Sequence, residues 1–331
     1  MAFCLAFSAI GCPCIRGAVN ASPGIRWWLF SSFGASRICP EMVKRGAPLK
    51  LGAFGAASVG RFFPEQCNVQ VNEASQTIVM TVSGTGYATL PVARRVGFSC
   101  SVSVEYAPDF HLAADDSIYV WGKFNRLMAP PDLRIIGVEN PVINLATQTP
   151  VGTVATAIGQ GLVAGEIGRG FTVVRQDDGD DFAIGHLDPP AKPARQFKPG
   201  EGRVTVASDL TEIHSMSREY LGPFQVTSNQ AVTLRTRTQG AQLAYSVVDR
   251  PSGDAWRRAY EAAQPLAAPF AAPLMQGTLP NGEGQNVFPL GPGQYFIVLE
   301  NRTTPLLGGL GVGLGETSAT VGYSIEVGDR Q

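Results

Sequence analysis

In the stretch CSVSVEY at 100–106, apolar and polar positions alternate. Val102, Val104 and Tyr106 fall on one side; Ser101, Ser103 and Glu105 fall on the other. A period of two predicts a strand with one buried face. The pattern recurs in AVTLRTRT at 231–238, with Val232 and Leu234 inward and Arg235 and Arg237 outward. It recurs again in TVGYSIEV at 320–327, where Val321, Tyr323, Ile325 and Val327 point inward and Thr320 and Ser324 outward. Residues 77–82, 117–122 and 133–138 are further strand candidates. The run YFIVL at 295–299 is almost continuously apolar, as a central strand requires. These patterns place Tyr295, Ile297, Leu299, Val321, Tyr323 and Ile325 in a core. Tyr323 is expected to keep its hydroxyl at a rim or against a partner, because unpaired burial costs about 1–3 kcal/mol.

Two apolar runs, 171–175 and 181–185, flank Gln176-Asp177-Asp178-Gly179-Asp180. Asp-Gly between such runs predicts a hairpin. One helix breaks the β pattern of the carboxy-terminal half: Asp254 is its expected cap, and Trp256, Tyr260 and Ala263 recur at helical spacing. Residues 188–202 are rich in proline, which lacks the donor for a sheet ladder, and read as a linker. The organisation expected is therefore a targeting or disordered segment at 1–35, a β-rich domain at 36–187, the linker at 188–202 and a β-sandwich domain at 203–331. The fold class is mainly β: two β-rich domains, the second an antiparallel jelly-roll-like sandwich with one short helix.

Composition supports this division. A chain of 331 residues suffices for two ordinary domains. Gly and Pro number 38 and 24 while only 16% of residues are charged, which suits short strands joined by turns. The formal net charge is -1 and no Lys/Arg run occurs, so nothing calls for nucleic acid as a partner.

The amino terminus, MAFCLAFSAIG, is an apolar run too short to span a bilayer and has the form of a signal h-region. A second apolar stretch, RWWLFSSFGA at 26–35, is an alternative targeting segment; a disordered tail is the plainer reading of the whole region. Ala9-Ile10-Gly11-Cys12 resembles a bacterial lipobox, and that resemblance implies lipidation of Cys12 after cleavage. Ala9 stands where the family prefers Leu, and no Lys or Arg precedes the run. All six cysteines lie in the first third, none forms a CxxC pair, and no histidine is near them in sequence, which disfavours structural zinc. In an exported protein Cys39 and Cys67 either form a disulfide tying the amino-terminal segment to the first domain or remain buried thiols.

Tyr220-Leu-Gly-Pro-Phe-Gln-Val226, then Gly293-Gln-Tyr-Phe-Ile-Val-Leu-Glu-Asn301, then an alternating strand ending at Val327, resembles the small jelly-roll sandwiches of the GOLD and bacterial pre-peptidase carboxy-terminal type. The likeness covers 208–328. A helix near Trp256 and a Gly-rich loop near Gly309 depart from the pattern. The resemblance implies a domain that binds or positions partners.

Four segments invite chemistry. Gly159-x-Gly161-x-x-Ala164 mimics a dinucleotide fingerprint, but too few residues precede Phe171 for a crossover helix, so no cofactor is expected. The overlapping Gly161-Leu-Val-Ala-Gly165 has GxxxG spacing and reads as a buried Gly-rich segment or a hairpin. Asp177, Asp178, Asp180 and Asp181 cluster at the hairpin tip, where hard oxygen ligands suit Ca²⁺ or simply remain solvated. His111 with Asp115 and Asp116 is the best catalytic grouping, without a GxSxG or HExxH motif beside it. The apolar loop LLGGLGVGLG at 306–315 either folds back onto its own sandwich or contacts a partner or membrane. The expected role is a non-enzymatic envelope lipoprotein of the bacterial periplasm or outer membrane, binding an unknown protein or envelope component, with membrane contact through its lipid anchor. The alternative is a secreted hydrolase, or an accessory domain of one, working through His111, Asp115 and Asp116.

Overall fold

A computed structural model describes residues 22–50, 57–90, 94–115, 117–139, 158–161, 165, 167–176, 179–191, 202–266, 272–303 and 318–330. The chain enters as a helical segment: α1 (Pro23–Leu29), a π-helical turn Phe30–Gly34, and α2 (Ala35–Met42). Ser22 caps α1 by accepting from the Ile25 amide, and Pro23 occupies the first turn, where no donor is needed. Phe30 is fully buried and stacks on Phe171 with ring centroids 6.0 Å apart. The residues 22–35 assigned from sequence to a targeting or disordered segment thus form helix on the first core. The Trp27 indole donates to Glu73, at the turn after β2.

That core is built on an antiparallel eight-stranded sheet with the path β1 (Ala47–Leu49), β2 (Gly60–Asn72), β3 (Thr77–Leu90), β4 (Arg94–Leu112), β5 (Ile118–Leu127), β7 (Phe171–Gln176) and β8 (Gly179–Ile184). β6 (Asp132–Val138) leaves the path and pairs with β4. Ile78, Met80 and Val82 of β3 stand opposite Tyr106, Val104 and Val102 of β4, so the inward alternation of the two strands coincides. Glu105 departs from expectation: it is buried, 3% exposed, although its period-two position is outward. The register between β4 and β5 shifts at Glu105/Tyr106, and there Glu105 accepts from Arg126, Asn125 and Thr77.

Cys39 of α2 and Cys67 of β2 are joined by a disulfide. It closes a 28-residue span and pins the helices to the sheet. Replacing both cysteines with alanine is expected to lower stability by about 2–4 kcal/mol, since loop closure restricts the unfolded chain. Chemical denaturation of the wild type and the double variant, each under oxidising conditions, measures this; equal midpoints and slopes would refute it.

The second half is an antiparallel sandwich. One sheet has the order β10 (Ser217–Val226), β15 (Gly293–Asn301), β12 (Leu243–Asp249), β13 (Met275–Leu279). The facing sheet runs β14 (Gly282–Phe288), β11 (Gln230–Gly240), β16 (Ala319–Asp329), β9 (Arg203–Ile213). Val232, Leu234, Val321, Ile325, Ile297 and Leu299 lie in its core. Tyr295 is a correction to the expected core: it packs at the margin, half-buried, and donates to the Gly291 carbonyl at 3.0 Å. The other side of β15, carrying Phe296 and Val298, is buried as well, against Trp256 and Tyr260 of α3 (Arg250–Glu261) and Phe63 of β2. Burial on both faces is why YFIVL has no alternation.

The cap of α3 is also corrected. Asp249, not Asp254, accepts from the Ser252 amide at 2.9 Å, and the helix begins with Arg250 and Pro251. Asp249 ends β12 with extended backbone, the conformation an N-cap needs, and proline suits the first turn. Asp254 lies inside the helix and pairs with Arg250 at 3.5 Å and with Arg257 at 3.4 Å.

Candidate functional site

A cluster of buried titratable groups lies where the eight-stranded sheet meets the sandwich. The first strands of that sheet bring Arg61 and Tyr87 to the meeting plane; β10 and β16 bring Glu219 and Tyr323. Arg61 donates through Nε to Glu219 Oε1 at 2.9 Å, through Nη2 to Tyr323 Oη at 2.9 Å, and through Nη1 to the Gly46 carbonyl at 3.0 Å. Tyr87 Oη donates to Glu219 Oε2 at 2.9 Å and accepts from the Tyr220 amide at 2.9 Å. All four side chains are buried. Both Glu219 oxygens are engaged, and the Tyr323 hydroxyl has the partner that a buried phenol needs.

Burial opposes the Arg61 charge, but Tyr323 and Glu219 outweigh it and hold the guanidinium above its ordinary range. Burial pushes the Glu219 carboxyl upward, with Arg61 and Tyr87 pulling it back. Burial also lifts the Tyr87 phenol well above its usual value. The pair is therefore a desolvated one, held by hydrogen bonds on every side.

A second cluster flanks it on α3. Arg257 donates to Glu261 at 2.5 Å and, across the contact, to Thr85 Oγ1 at 2.7 Å and Glu65 Oε1 at 3.1 Å. Its guanidinium lies 4.4 Å from the Phe63 ring centroid, and that of Arg95 lies 4.2 Å from the Tyr260 ring. Tyr87 stands edge-on to Tyr260, centroids 5.0 Å apart. The chains approach closely enough that a Cβ on Gly97 of β4 would overlap the Glu261 carbonyl, so glycine is required there.

Beside this contact a cavity of about 310 Å³ opens on the outer face of β2, β3 and β4, next to β6. Gln66, Ser83, Thr85, Ser99 and Ser101 line it, with Glu65 on its rim; Asp132 and Arg134 of β6 close the far side. Cross-strand register sets the hydroxyls in rows: Ser83 faces Ser101, and Thr85 faces Ser99. Cys100 lies at its floor, 2% exposed, its thiol pushed up to about 11 by burial and then by Asp132, which keeps it protonated and unreactive.

The groups singled out from sequence stand elsewhere. His111 is exposed on β4, opposite Tyr119. Asp115 accepts from the Ser117 amide in its own turn at 3.1 Å, and Asp116 is outside the described residues. In the β7–β8 hairpin Gln176 pairs with Gly179. Asp177 and Asp178 lie outside the described residues, and Asp180 and Asp181 are described in backbone only. Cys12, Ala164 and the loop at 306–315 also lie outside them. Gly159 and Gly161 fall in a short helical stretch at 158–161, beside the buried Ile158. Among the described residues no group of three or more His, Cys, Asp or Glu has the arrangement to hold a metal ion.

The contact network was missed from sequence. Two signals pointed to it: an inward tyrosine needing a partner, Tyr323, and a strand at 295–299 apolar on both faces. Arg61, between Gly60 and Phe62, carries the same kind of signal, a lone charge in an apolar strand.

No family model matches the chain, and no curated protein matches it. Among solved structures it is similar to the infectious bursal disease virus VP2 subviral particle, at 10% identity over 92% of this chain and 77% of that one, with a TM-score of 0.21. It is also similar to the coconut allergen cocosin, at 9% identity over 88% and 87%, with a TM-score of 0.15. Likeness at these scores carries no argument about fold or function.

Proposed function

We propose that this chain is a non-enzymatic protein of the bacterial cell envelope, in the periplasm or on the outer membrane, that binds or scaffolds a partner. The observation carrying this reading is the Arg61–Glu219–Tyr87–Tyr323 network. It uses buried titratable groups to fasten one β unit to the other, with each charged or phenolic side chain satisfied inside the protein. Perturbed groups serving chemistry face a cleft; these serve the joint, leaving the outer sheet faces as the surfaces available to a partner. The Cys39–Cys67 disulfide is compatible with an exported protein, because disulfides persist in oxidising compartments. Among the described residues no helix is long and apolar enough to cross a membrane. Anchoring through Cys12 and a sandwich of the GOLD or pre-peptidase carboxy-terminal type belong to the same proposal.

Cell fractionation followed by intact mass measurement tests it. The expected result is a protein in the envelope fraction that begins at Cys12 and carries acyl chains. A soluble cytoplasmic protein beginning at Met1 or Ala2 would remove the basis for the envelope role.

A further inference from the structure

The cavity on the outer face of β2, β3 and β4 is not accounted for by the joint beside it. We infer that it binds an uncharged oligosaccharide; this rests on the partner-binding role proposed above and names the chemistry of what is bound.

Three features of the site select that ligand. The first is the lining. Ser83, Ser99 and Ser101 each present a hydroxyl that can donate and accept, and Gln66 presents one of each, while the Thr85 hydroxyl is held by Arg257. A sugar hydroxyl also does both, so it finds complements at the serines along the two rows. An apolar ligand would instead strip water from these groups without replacing their hydrogen bonds, at a cost for each.

The second is charge. Glu65 is paired with Arg257 at 3.1 Å and Asp132 with Arg134 at 3.3 Å. Arg257 is shared with Glu261, so the lining itself, with Glu65, Asp132 and Arg134, leans slightly negative and has no field to draw in a phosphate or an acidic peptide. The carboxylate oxygens remain acceptors for vicinal hydroxyls, and the Arg134 guanidinium offers a planar surface and a donor fork.

The third is size and rigidity. A volume of about 310 Å³ is at the small end of ligand sites, the scale of one or two sugar rings. Its walls are strands in a continuous ladder, and its rim is fixed from the other unit, because Arg257 of α3 holds both Thr85 and Glu65. Pre-organised polar groups lose little freedom when a ligand arrives.

Calorimetric titration of the full chain with cellotetraose, maltotetraose and chitotetraose tests this. At least one should bind saturably. Ser99→Val combined with Ser101→Val should weaken that binding at least about tenfold without moving the thermal midpoint, since both side chains are only half-buried. Thr81→Val with Ser103→Val removes the next hydroxyl pair along the same rows, outside the cavity, and should leave binding unchanged. No binding of any of the three by folded wild type, or equal binding by the Ser99/Ser101 variant, would overturn the site. A cytoplasmic protein that still bound a tetraose would keep the site and lose the envelope role; an exported protein that bound none would do the reverse.

Discussion

Glu219→Ala should lower unfolding stability by about 3–5 kcal/mol, the range for breaking a buried ion pair from one side. The loss comes less from the missing attraction than from what is left behind. Arg61 is 4% exposed and would keep its charge with the Gly46 carbonyl and the Tyr323 hydroxyl as its remaining partners. Tyr87 would lose the acceptor for its own proton. A buried guanidinium without a carboxylate is among the costliest defects a core can carry. The double replacement Arg61→Met with Glu219→Leu should recover most of the loss, because removing both charges also removes their desolvation. Urea unfolding followed by tryptophan fluorescence and by far-ultraviolet circular dichroism measures each variant. If Glu219→Ala cost less than about 1 kcal/mol, in the range of an exposed pair, the joint would not be buried in solution.

Ile325→Ala should cost about 2–5 kcal/mol, the range for truncating a well-packed aliphatic side chain. Ile325 has no exposed surface and sits in the middle of β16, with Leu234 of β11 on one side and Ala207 of β9 on the other. Both neighbours are held in their own ladders, so the space cannot close around alanine. The adjacent residue is the control. Ser324 faces away from the core, opposite Arg235 and Ser208, and its replacement by alanine should change stability by about 0.5 kcal/mol or less. A larger cost at Ser324 than at Ile325, in the same denaturant titration, would reverse the assignment of faces along β16.

These two sites differ in how far the sequence announced them. The inward face of 320–327 was legible because its cause is local: side chains alternate across a strand, and the chain must hide every second one. The same rule found Val102, Val104 and Tyr106, and Val232 and Leu234; a separate local signal, Asp-Gly between two apolar runs, found the hairpin of β7 and β8. Alternation placed Glu105 outward, opposite Val79, but could not foresee its burial there: Thr77 of β3 and, at the register shift, Asn125 and Arg126 of β5 close over the carboxylate as three donors. It failed at Asp254, because an apolar spacing marks the middle of a helix better than its first residue; the cap was decided by the end of β12 and by Pro251. The run 295–299 showed that a strand was central without showing why. One face belongs to the sandwich and the other to the contact with β2 and α3.

Local periodicity alone therefore determined that the chain is mainly β, where many strands lie, and which side of the clearest ones is apolar. The cysteine positions, read with the expected export, set the choice at Cys39 and Cys67 between a bridge and two thiols. Tertiary structure decided that they are bridged, that Arg61 meets Glu219 across 158 positions of sequence, and that a row of serines and threonines frames a cavity. The reason is the range of each cause. Alternation is enforced between neighbours along one strand, whereas an ion pair or a cavity depends on which strands the whole fold sets side by side.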